Sequence, residues 1–412
     1  MEESTPWHAP GKYYASPANY DPELTAERPG MPRRVRIKDV TLREGEETPG
    51  VVFSMENRIE IARRLQDIGV AEIEMFRTYT LDETRAMTDA FNRAGISVPR
   101  SFVSVSLGPW IEWIDMVCDG GAHGVTLLSG WPTGVVWAPG RKTLPKDEFY
   151  PRLAEAIGHA RRQGLHVSVG APNTTRAPVH AVIDLCRFAV QSGADRVHLY
   201  DSFGIGLPSV VRFLARKVKE AIGETPLLWH GHNDFGQATA NTVAAVEGGA
   251  EWCDVVVNGL GDRGGNAAFE EVVCSLEVLH GIDTGIRLEK LCELSRFIEE
   301  VSGIRLQPNK AIVGKHAFLE ESHFMIRKAA EDAGYPEAVL PFVPQLVGAS
   351  PHLVIGTTNL YVGAIEYLLE KWGLPSDPET VETIRSRVRA RLEGGGYLEQ
   401  DQLHAIAHEV VG

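Results

Sequence analysis

The chain has 412 residues and 43% of them are hydrophobic, which is enough for one large domain with an appendage. Its 55 acidic and 41 basic side chains give a net charge of −14 with no basic run, which argues against nucleic acid as a partner. No apolar stretch reaches the ~20 residues of a membrane helix, and five scattered cysteines without a CxxC pair are typical of a reducing compartment, so we expect a cytoplasmic protein without a membrane partner.

Short β-rich runs alternate with longer helical patterns from residue 33 onward. The runs predict eight strands, at Val35–Val40, Ala71–Phe76, Val98–Val105, Gly124–Ser129, Leu165–Val169, Arg196–Tyr200, Leu227–His230 and Trp252–Val257. The segments between and after them predict helices at Met55–Ile68, Leu81–Ala94, Pro109–Cys118, from the end of a loop at Gly130–Lys146 to Gln163, and at Ala177–Ser192, Ser209–Ile222, Gly236–Glu247 and Ala267–His280.

Eight strand–helix units in about 250 residues predict an α/β fold of the TIM (β/α)8 barrel type. The alternative is a doubly wound open sheet, but no GxGxxG follows an early strand. We therefore expect three regions: an irregular N-terminal arm at 1–32, the catalytic barrel at 33–285, and a small mixed C-terminal appendage at 286–412. The appendage and the arm favour a homodimer, with dimerisation and an active-site lid as the functions of the appendage.

Two histidines end the seventh predicted strand, at the rim where TIM barrels place their active sites. Because strand residues i and i+2 point to the same face, His230 and His232 would lie side by side and form half of a divalent-metal site. Glu44 would add a carboxylate ligand and Asn266 an amide oxygen, which leaves room for a chelating substrate or water. Structural histidines are the alternative explanation for the HxH pair.

Arg43 follows the first predicted strand and keeps its charge at all relevant pH values. It can stabilise a developing oxyanion or enolate. Alternatively, it forms a salt bridge that closes the barrel mouth, for instance to Glu74, and the two roles are compatible because a carboxylate would hold the guanidinium in place.

Three motifs in order resemble the DRE-TIM metallolyases, which include 2-isopropylmalate, homocitrate and citramalate synthases and 3-hydroxy-3-methylglutaryl-CoA lyase. They are D-x-T-L-R-[DE]-G-E-x-x-P-G at 39–50, H-x-H-N-D-x-G followed by A-x-A-N at 230–241, and N-G-[IL]-G-[ED]-R-x-G-N-A at 258–267. Segments at 308–314 and 344–348 resemble the region after the barrel in the synthases, which favours the synthase branch over the lyases.

The resemblance implies a divalent metal ion (Zn, Mn, Mg or Co) with Glu44, His230 and His232 as ligands and Asn266 as the fourth. Arg43 would face the 2-oxo group, with Glu74 in its network. The implied reaction is a Claisen-type condensation of an acyl-CoA, typically acetyl-CoA, with a 2-oxo acid to give a 2-hydroxy-2-alkyl diacid. A metal-dependent lyase or aldolase that cleaves such a bond is the alternative, and a metal-binding protein without catalysis is a third hypothesis.

The substrate region departs from the family pattern. The family motif S-x-E-D-x-x-R corresponds here to residues 170–176, where the Glu position holds Pro172, while Asn173 and Arg176 remain substrate-binding candidates. Ser202 takes the place of a Thr that helps to hold the substrate carboxylate and keeps its hydroxyl donor. The loop after strand four lacks the Arg that binds a distal carboxylate in homocitrate synthases, and Trp131, together with Trp137, is expected to line an apolar pocket instead.

The general base is also altered relative to the family. The H-E-S-G-I-H motif corresponds to Glu320–Met325, in which Met325 takes the place of the second His, so His323 and His316 are the candidate bases. Glu47 stands where the family usually has Gln. It would act as a general base, or its charge would repel dianionic substrates.

Overall fold

The structure, a computed structural model, describes residues 5–75, 80–104, 110–128, 145–321, 323–361 and 363–412. The chain forms two compact units. The larger unit is Ala18–Leu306, and the smaller unit combines Met1–Pro17 with Gln307–Gly412. The larger unit therefore runs past residue 285, the predicted end of the catalytic domain.

Eight parallel strands of the described chain close into a barrel, in chain order, with the last strand beside the first. The strands are β1 Arg36–Asp39, β2 Glu72–Glu74, β3 Arg100–Val103, β4 Gly124–Leu128, β5 His166–Ala171, β6 Arg196–Asp201, β7 Leu227–Gly231 and β8 Trp252–Val255. This topology confirms the predicted TIM barrel and excludes the doubly wound sheet.

A helix follows each strand of the barrel. The helices are α1 Met55–Ile68, α2 Leu81–Arg93, α3 Trp110–Asp119, α4 Lys146–Arg162, α5 Val179–Gln191, α6 Pro208–Ile222, α7 Ala238–Glu247 and α8 Phe269–Cys274, with α9 Leu291–Ser302 after them. The helix predicted at 267–280 is shorter than expected, because α8 gives way to a π-helical turn at Ser275–Leu279. A short helix, Pro22–Ala26, precedes the barrel.

Local capping explains why the helices begin and end where the sequence predicts. Ser54 precedes α1 and its hydroxyl accepts a hydrogen bond from the backbone N–H of Asn57, while Gly69 ends the helix in a left-handed conformation. Thr80 and Glu83 form a capping box at the start of α2. These signals are read from a few neighbouring residues, so they are visible in the sequence.

The interior of the barrel is unusually polar. The interior of a TIM barrel is commonly filled with bulky branched side chains. Here, by contrast, seven ionisable side chains on the strands are buried and contact one another: Lys38, Glu72, Glu74, Arg196, His198, His230 and Asp254. The apolar strand residues, such as Ile37 and Ile73, are also fully buried, and their removal from water stabilises the barrel.

The smaller unit has a hydrophobic core of its own, built around Ile365, Leu369, Ile384 and Leu403. Its helices are α10 Phe324–Asp332, α11 Ala364–Trp372, α12 Pro378–Arg391 and α13 Gln400–Val411, and it contains short two-stranded sheets at His8–Ala9 with Tyr13–Tyr14 and at Leu319–Glu320 with His352–Leu353. Among the described residues of both units, no helix is long and apolar enough to cross a membrane.

Candidate active site

The structure brings Glu44, His230 and His232 together at the carboxyl-terminal end of the barrel. One potential ligand atom from each residue lies within 4.8 Å of the others. His230 Nε2 is 3.4 Å from His232 Nε2 and 3.4 Å from Glu44 Oε1, and all three side chains are buried. The predicted juxtaposition of the two imidazoles and the carboxylate is therefore present, and their role as metal ligands stays a prediction.

Buried polar atoms without partners surround this cluster. In the part of the chain that the structure describes, Glu44 Oε2, His232 Nδ1 and Asn266 Oδ1 accept no hydrogen bond. Leaving such atoms unsatisfied in a buried site costs about 1–3 kcal/mol each, so a bound cation is a physically reasonable partner. Asn266 Nδ2 donates a hydrogen bond to His230 Nε2 at 3.0 Å. The Asn266 amide would have to flip, exchanging the positions of Nδ2 and Oδ1, to offer Oδ1 as a ligand.

The protonation states suit a divalent cation. Burial lowers the pKa of His232 to about 3, so its imidazole is neutral at physiological pH. Burial alone would raise the pKa of Glu44, but the Arg43 guanidinium holds that pKa below its ordinary value. A neutral imidazole such as that of His232, beside an ionised carboxylate, is ligand chemistry suited to Zn, Mn and Co.

Arg43 lies beside the cluster and is fixed by two carboxylates. Its Nη1 contacts Glu44, and its Nε donates a hydrogen bond to Glu74 Oε1 at 2.5 Å. Its buried Nη2 has no hydrogen-bond partner among the described residues. The predicted salt bridge to Glu74 therefore exists, and the two N–H donors of Nη2 remain available for a ligand. Glu47 Oε1 is 3.8 Å from Arg43 Nη1, on a side chain that is 37% exposed.

A second layer of buried charges lies next to this cluster and was missed by the sequence analysis. Lys38 Nζ contacts Glu74 and lies 3.8 Å from Glu72 Oε1 and 3.9 Å from Asp254 Oδ1. Glu72 pairs with Arg196, whose Nη1 and Nη2 donate to it at 2.9 and 3.0 Å. Charged residues at alternate positions of otherwise apolar strands are the signal that would have revealed this layer.

The charges of the two layers nearly balance. Lys38, Arg43 and Arg196 face four carboxylates, those of Glu44, Glu72, Glu74 and Asp254, so the network carries one excess negative charge when its histidines are neutral. Burial alone would raise the pKa of Asp254, but the Lys38 ammonium and the neighbouring imidazoles hold it well below its ordinary value. This excess of negative charge favours a cation in the site.

The substrate-binding candidates after β5 and β6 are partly brought together. The backbone N–H of Asn173 donates to Ser202 Oγ at 3.0 Å, and both residues are buried. Asn173 has a φ of +56°, and neither atom of its buried side-chain amide has a partner among the described residues. A strained backbone with an unsatisfied amide is a feature of ligand sites. Arg176 is exposed instead, and its guanidinium lies 4.0 Å from the centre of the Phe203 ring.

The other predicted residues lie elsewhere or outside the described residues. His316 and His323 are exposed residues of the smaller unit, where His323 lines a cavity of about 360 Å³ with Glu320 and Arg327. Their role as general bases stays a prediction. Trp131 and Trp137, with most of the loop that carries them, lie outside the described residues.

Two glycines permit the close packing of the site. Gly261 has a φ of +142°, and a Cβ atom there would lie 2.1 Å from Asn266 Oδ1. Gly204 has a φ of +57°, and its Cβ would lie 2.5 Å from the carbonyl oxygen of His232. Any other residue at either position would displace a candidate ligand or its backbone.

The barrel and the cluster at its mouth define a TIM-barrel protein with a candidate metal centre. The HMGL-like family model matches residues 34–298, and the chain belongs to that family. This confirms the resemblance stated from the three motifs.

Curated relatives extend the similarity over most of the chain. The (R)-citramalate synthase CimA of Methanocaldococcus jannaschii is 35% identical over 92% of this chain and 75% of its own length. The homocitrate synthase AksA of Methanopyrus kandleri is 34% identical over 92% of this chain and 94% of its own. The 2-isopropylmalate synthase of M. jannaschii is 33% identical over 94% of this chain and 73% of its own.

Solved structures share the fold. An HMG-CoA lyase from Brucella melitensis covers 66% of this chain and 99% of its own, with a TM-score of 0.56 and 22% identity. An HMG-CoA lyase from Pseudomonas aeruginosa covers 67% of this chain and 95% of its own, with a TM-score of 0.57 and 21% identity. At this identity the likeness concerns the barrel architecture alone.

Proposed function

We propose that the protein is a divalent-metal-dependent acyltransferase that condenses an acyl-CoA, with acetyl-CoA as the expected donor, with a 2-oxo acid. The observation that carries the proposal is the buried cluster of Glu44, His230 and His232 beside Arg43, whose Nη2 has no hydrogen-bond partner among the described residues. The relatives named as citramalate, homocitrate and 2-isopropylmalate synthases support the same class of reaction.

The cluster fits a divalent cation in both donor set and charge. Glu44, His230 and His232 would hold the ion, with Asn266 as a fourth ligand after rotation of its amide. The ion would supply Lewis-acid polarisation of a carbonyl oxygen.

Arg43 is placed to stabilise the charge that develops on the substrate. Its Nη2 is a buried donor without a partner among the described residues, and Glu74 and Glu44 restrain the rest of the guanidinium. In the reaction, the acyl-CoA loses a proton from the carbon next to its thioester, and the resulting carbanion attacks the 2-oxo carbon. The carbonyl oxygen becomes an alkoxide, which a preorganised donor stabilises. Protonation of the alkoxide and hydrolysis of the thioester then release the CoA thiol.

The remaining residues support substrate binding and proton transfer. Ser202 and Asn173 are buried neighbours with donors suited to a carboxylate, and the Asn173 amide, which has no partner in the described part of the chain, supports a ligand at this position. His316, His323 and Glu47 are the proposed candidates for the base that removes the proton.

Release of free thiol tests the proposal directly. Purified protein with Mn²⁺ or Mg²⁺ is incubated with acetyl-CoA and each of a panel of 2-oxo acids, and thiol is followed with a chromogenic reagent. We expect release that depends on one 2-oxo acid and falls at least about 10²-fold in Arg43→Ala, the typical loss for a removed oxyanion donor. Arg64→Ala is the matched control, because Arg64 forms ion pairs with Glu60 and Glu293 on the outer surface.

Cleavage by a lyase or aldolase is the second candidate function. The observation that favours it is Pro172, which replaces the family's Glu at the end of β5 with a side chain that has no acid–base group. If a metal-loaded sample releases no thiol with any 2-oxo acid, the condensation proposal fails, and cleavage of 2-hydroxy acids or 3-hydroxyacyl-CoA thioesters is then measured.

A further inference from the structure

The two ring nitrogens of His230 face different surroundings. Its Nε2 faces the candidate ligands Glu44 and His232, whereas its Nδ1 lies 2.9 Å from Asp254 Oδ2. An ionised carboxylate can only accept, so Nδ1–H is the donor in this hydrogen bond. The lone pair of His230 is therefore on Nε2, the side on which an ion would be held.

Asp254 is itself held in place by buried neighbours. Its Oδ2 lies 3.1 Å from His198 Nε2, and its Oδ1 lies 3.9 Å from Lys38 Nζ. His198 is restrained in turn by the hydroxyl of Tyr200, 2.8 Å from His198 Nδ1. All four residues are at most 6% exposed, so a different rotamer of Asp254 would break several polar contacts that water cannot replace.

A second metal ion is the competing explanation of these residues. Potential ligand atoms of His198, His230 and Asp254 also lie within 4.8 Å of one another. A dication at Asp254, however, would lie close to the buried Lys38 ammonium, where no solvent screens the repulsion. The Glu44, His230 and His232 group also has a cation beside it, the Arg43 guanidinium, but Glu74 shares that charge. Among the described residues, Glu44 Oε2, Asp254 Oδ1 and His198 Nε2 all lack a hydrogen-bond partner, so the number of ions bound per chain decides between one site and two.

We propose that Asp254 is a positioning residue that orients His230 as a metal ligand, and that Lys38 and His198 hold Asp254 in its orientation. This inference rests on the metal site of the proposed function. Loss of such a partner of a ligating histidine typically weakens metal binding about 10–100-fold. A carboxylate that only contributes to folding would change stability and leave the affinity for the ion unchanged.

The test is calorimetric titration of the apoprotein with Mn²⁺. We expect one ion per chain in the native protein and a dissociation constant about 10–100-fold higher in Asp254→Ala. Asp254→Asn keeps an oxygen acceptor for His230 Nδ1–H, so it should show a smaller loss. Glu72→Gln is the control for the loss of one buried negative charge near Lys38, at 3.8 Å, because Glu72 bonds to Arg196 instead of a candidate ligand, so it should weaken binding less than Asp254→Ala does.

Several outcomes would overturn the inference. Native affinity in Asp254→Ala, or an equal loss in Glu72→Gln, would mean that Asp254 does not orient His230. Two ions per chain in the native protein, with one lost in Asp254→Ala, would make Asp254 a ligand. Circular dichroism and thermal melting of the apoproteins show which variants fold. If Asp254→Ala does not fold, the affinity of Asp254→Asn is compared with that of the native protein instead. A native protein that binds no ion would refute the proposed metal site itself.

Discussion

Removal of Arg196 alone should destabilise the barrel more than its removal together with Glu72. Arg196 is 1% exposed, and it donates two hydrogen bonds to Glu72 and a third, from Nε, to Ser168 Oγ at 2.8 Å. In Arg196→Met the Glu72 carboxylate would stay buried without its main counter-ion, which typically costs about 3–5 kcal/mol. Replacement of both residues by apolar side chains removes the buried charge as well, so the double variant should lose less.

The pKa of Glu72 gives a similar value for the stability that the ion pair with Arg196 contributes. Burial alone would raise this pKa, but Arg196 and then Lys38 lower it from 4.5 to about 2. At about 1.4 kcal/mol per pKa unit, the lowering corresponds to about 3 kcal/mol of stability. Because the pKa is lower in the folded state, this contribution is fully present above pH 4.5 and is lost as the pH falls towards 2. Arg196→Met should lose most of this pH dependence.

Urea unfolding followed by far-ultraviolet circular dichroism measures the free energy of unfolding of each variant and its dependence on pH. The native protein, Arg196→Met and the double variant Arg196→Met/Glu72→Leu are compared at pH 7 and pH 4. Arg64→Ala is the control for loss of a surface ion pair, with an expected cost of about 0–1 kcal/mol. A cost below about 1 kcal/mol for Arg196→Met, or a double variant less stable than the single one, would refute the reasoning.

Three further predictions concern the candidate site. In the native protein, Mn²⁺ at 100 times its dissociation constant should stabilise the fold by about 2.7 kcal/mol and raise the melting temperature. His232→Ala should abolish this rise, and an undiminished rise would mean that the ion binds elsewhere. Glu74→Gln should lower kcat about tenfold or more while the Mn²⁺ stoichiometry is unchanged, because Arg43 Nε loses its charged acceptor; an unchanged kcat in steady-state thiol release would contradict this role. Gly261→Ala should cost about 1–3 kcal/mol from backbone strain and also weaken Mn²⁺ binding, because the added Cβ would lie 2.1 Å from Asn266 Oδ1. Gly303→Ala, at φ +71° in open space, is its control, and equal Mn²⁺ affinities in the two variants would count against Asn266 as a ligand.

Strong local patterns allowed most of the barrel to be predicted. The helix at Met55–Ile68 was predicted with its observed bounds because its amphipathic period and its caps are local. The HxH spacing placed His230 and His232 on one face of a strand for the same reason. Helices α10, α11 and α13 were not predicted, because their apolar patterns are short. These helices are stabilised by packing in the core that they share with α12, which the local sequence does not reveal.

The sequence by itself determined the strand–helix alternation, the three motifs and the residues that end the strands. Only the tertiary structure decided which buried side chains meet inside the barrel. Arg196 and Glu72 are 124 positions apart, and His230 and Asp254 are 24 apart, and each pair meets because the barrel closes in one particular register. The period of a strand tells which residues share a face, but the partners across the interior depend on strand order, register and closure, which are properties of the whole sheet.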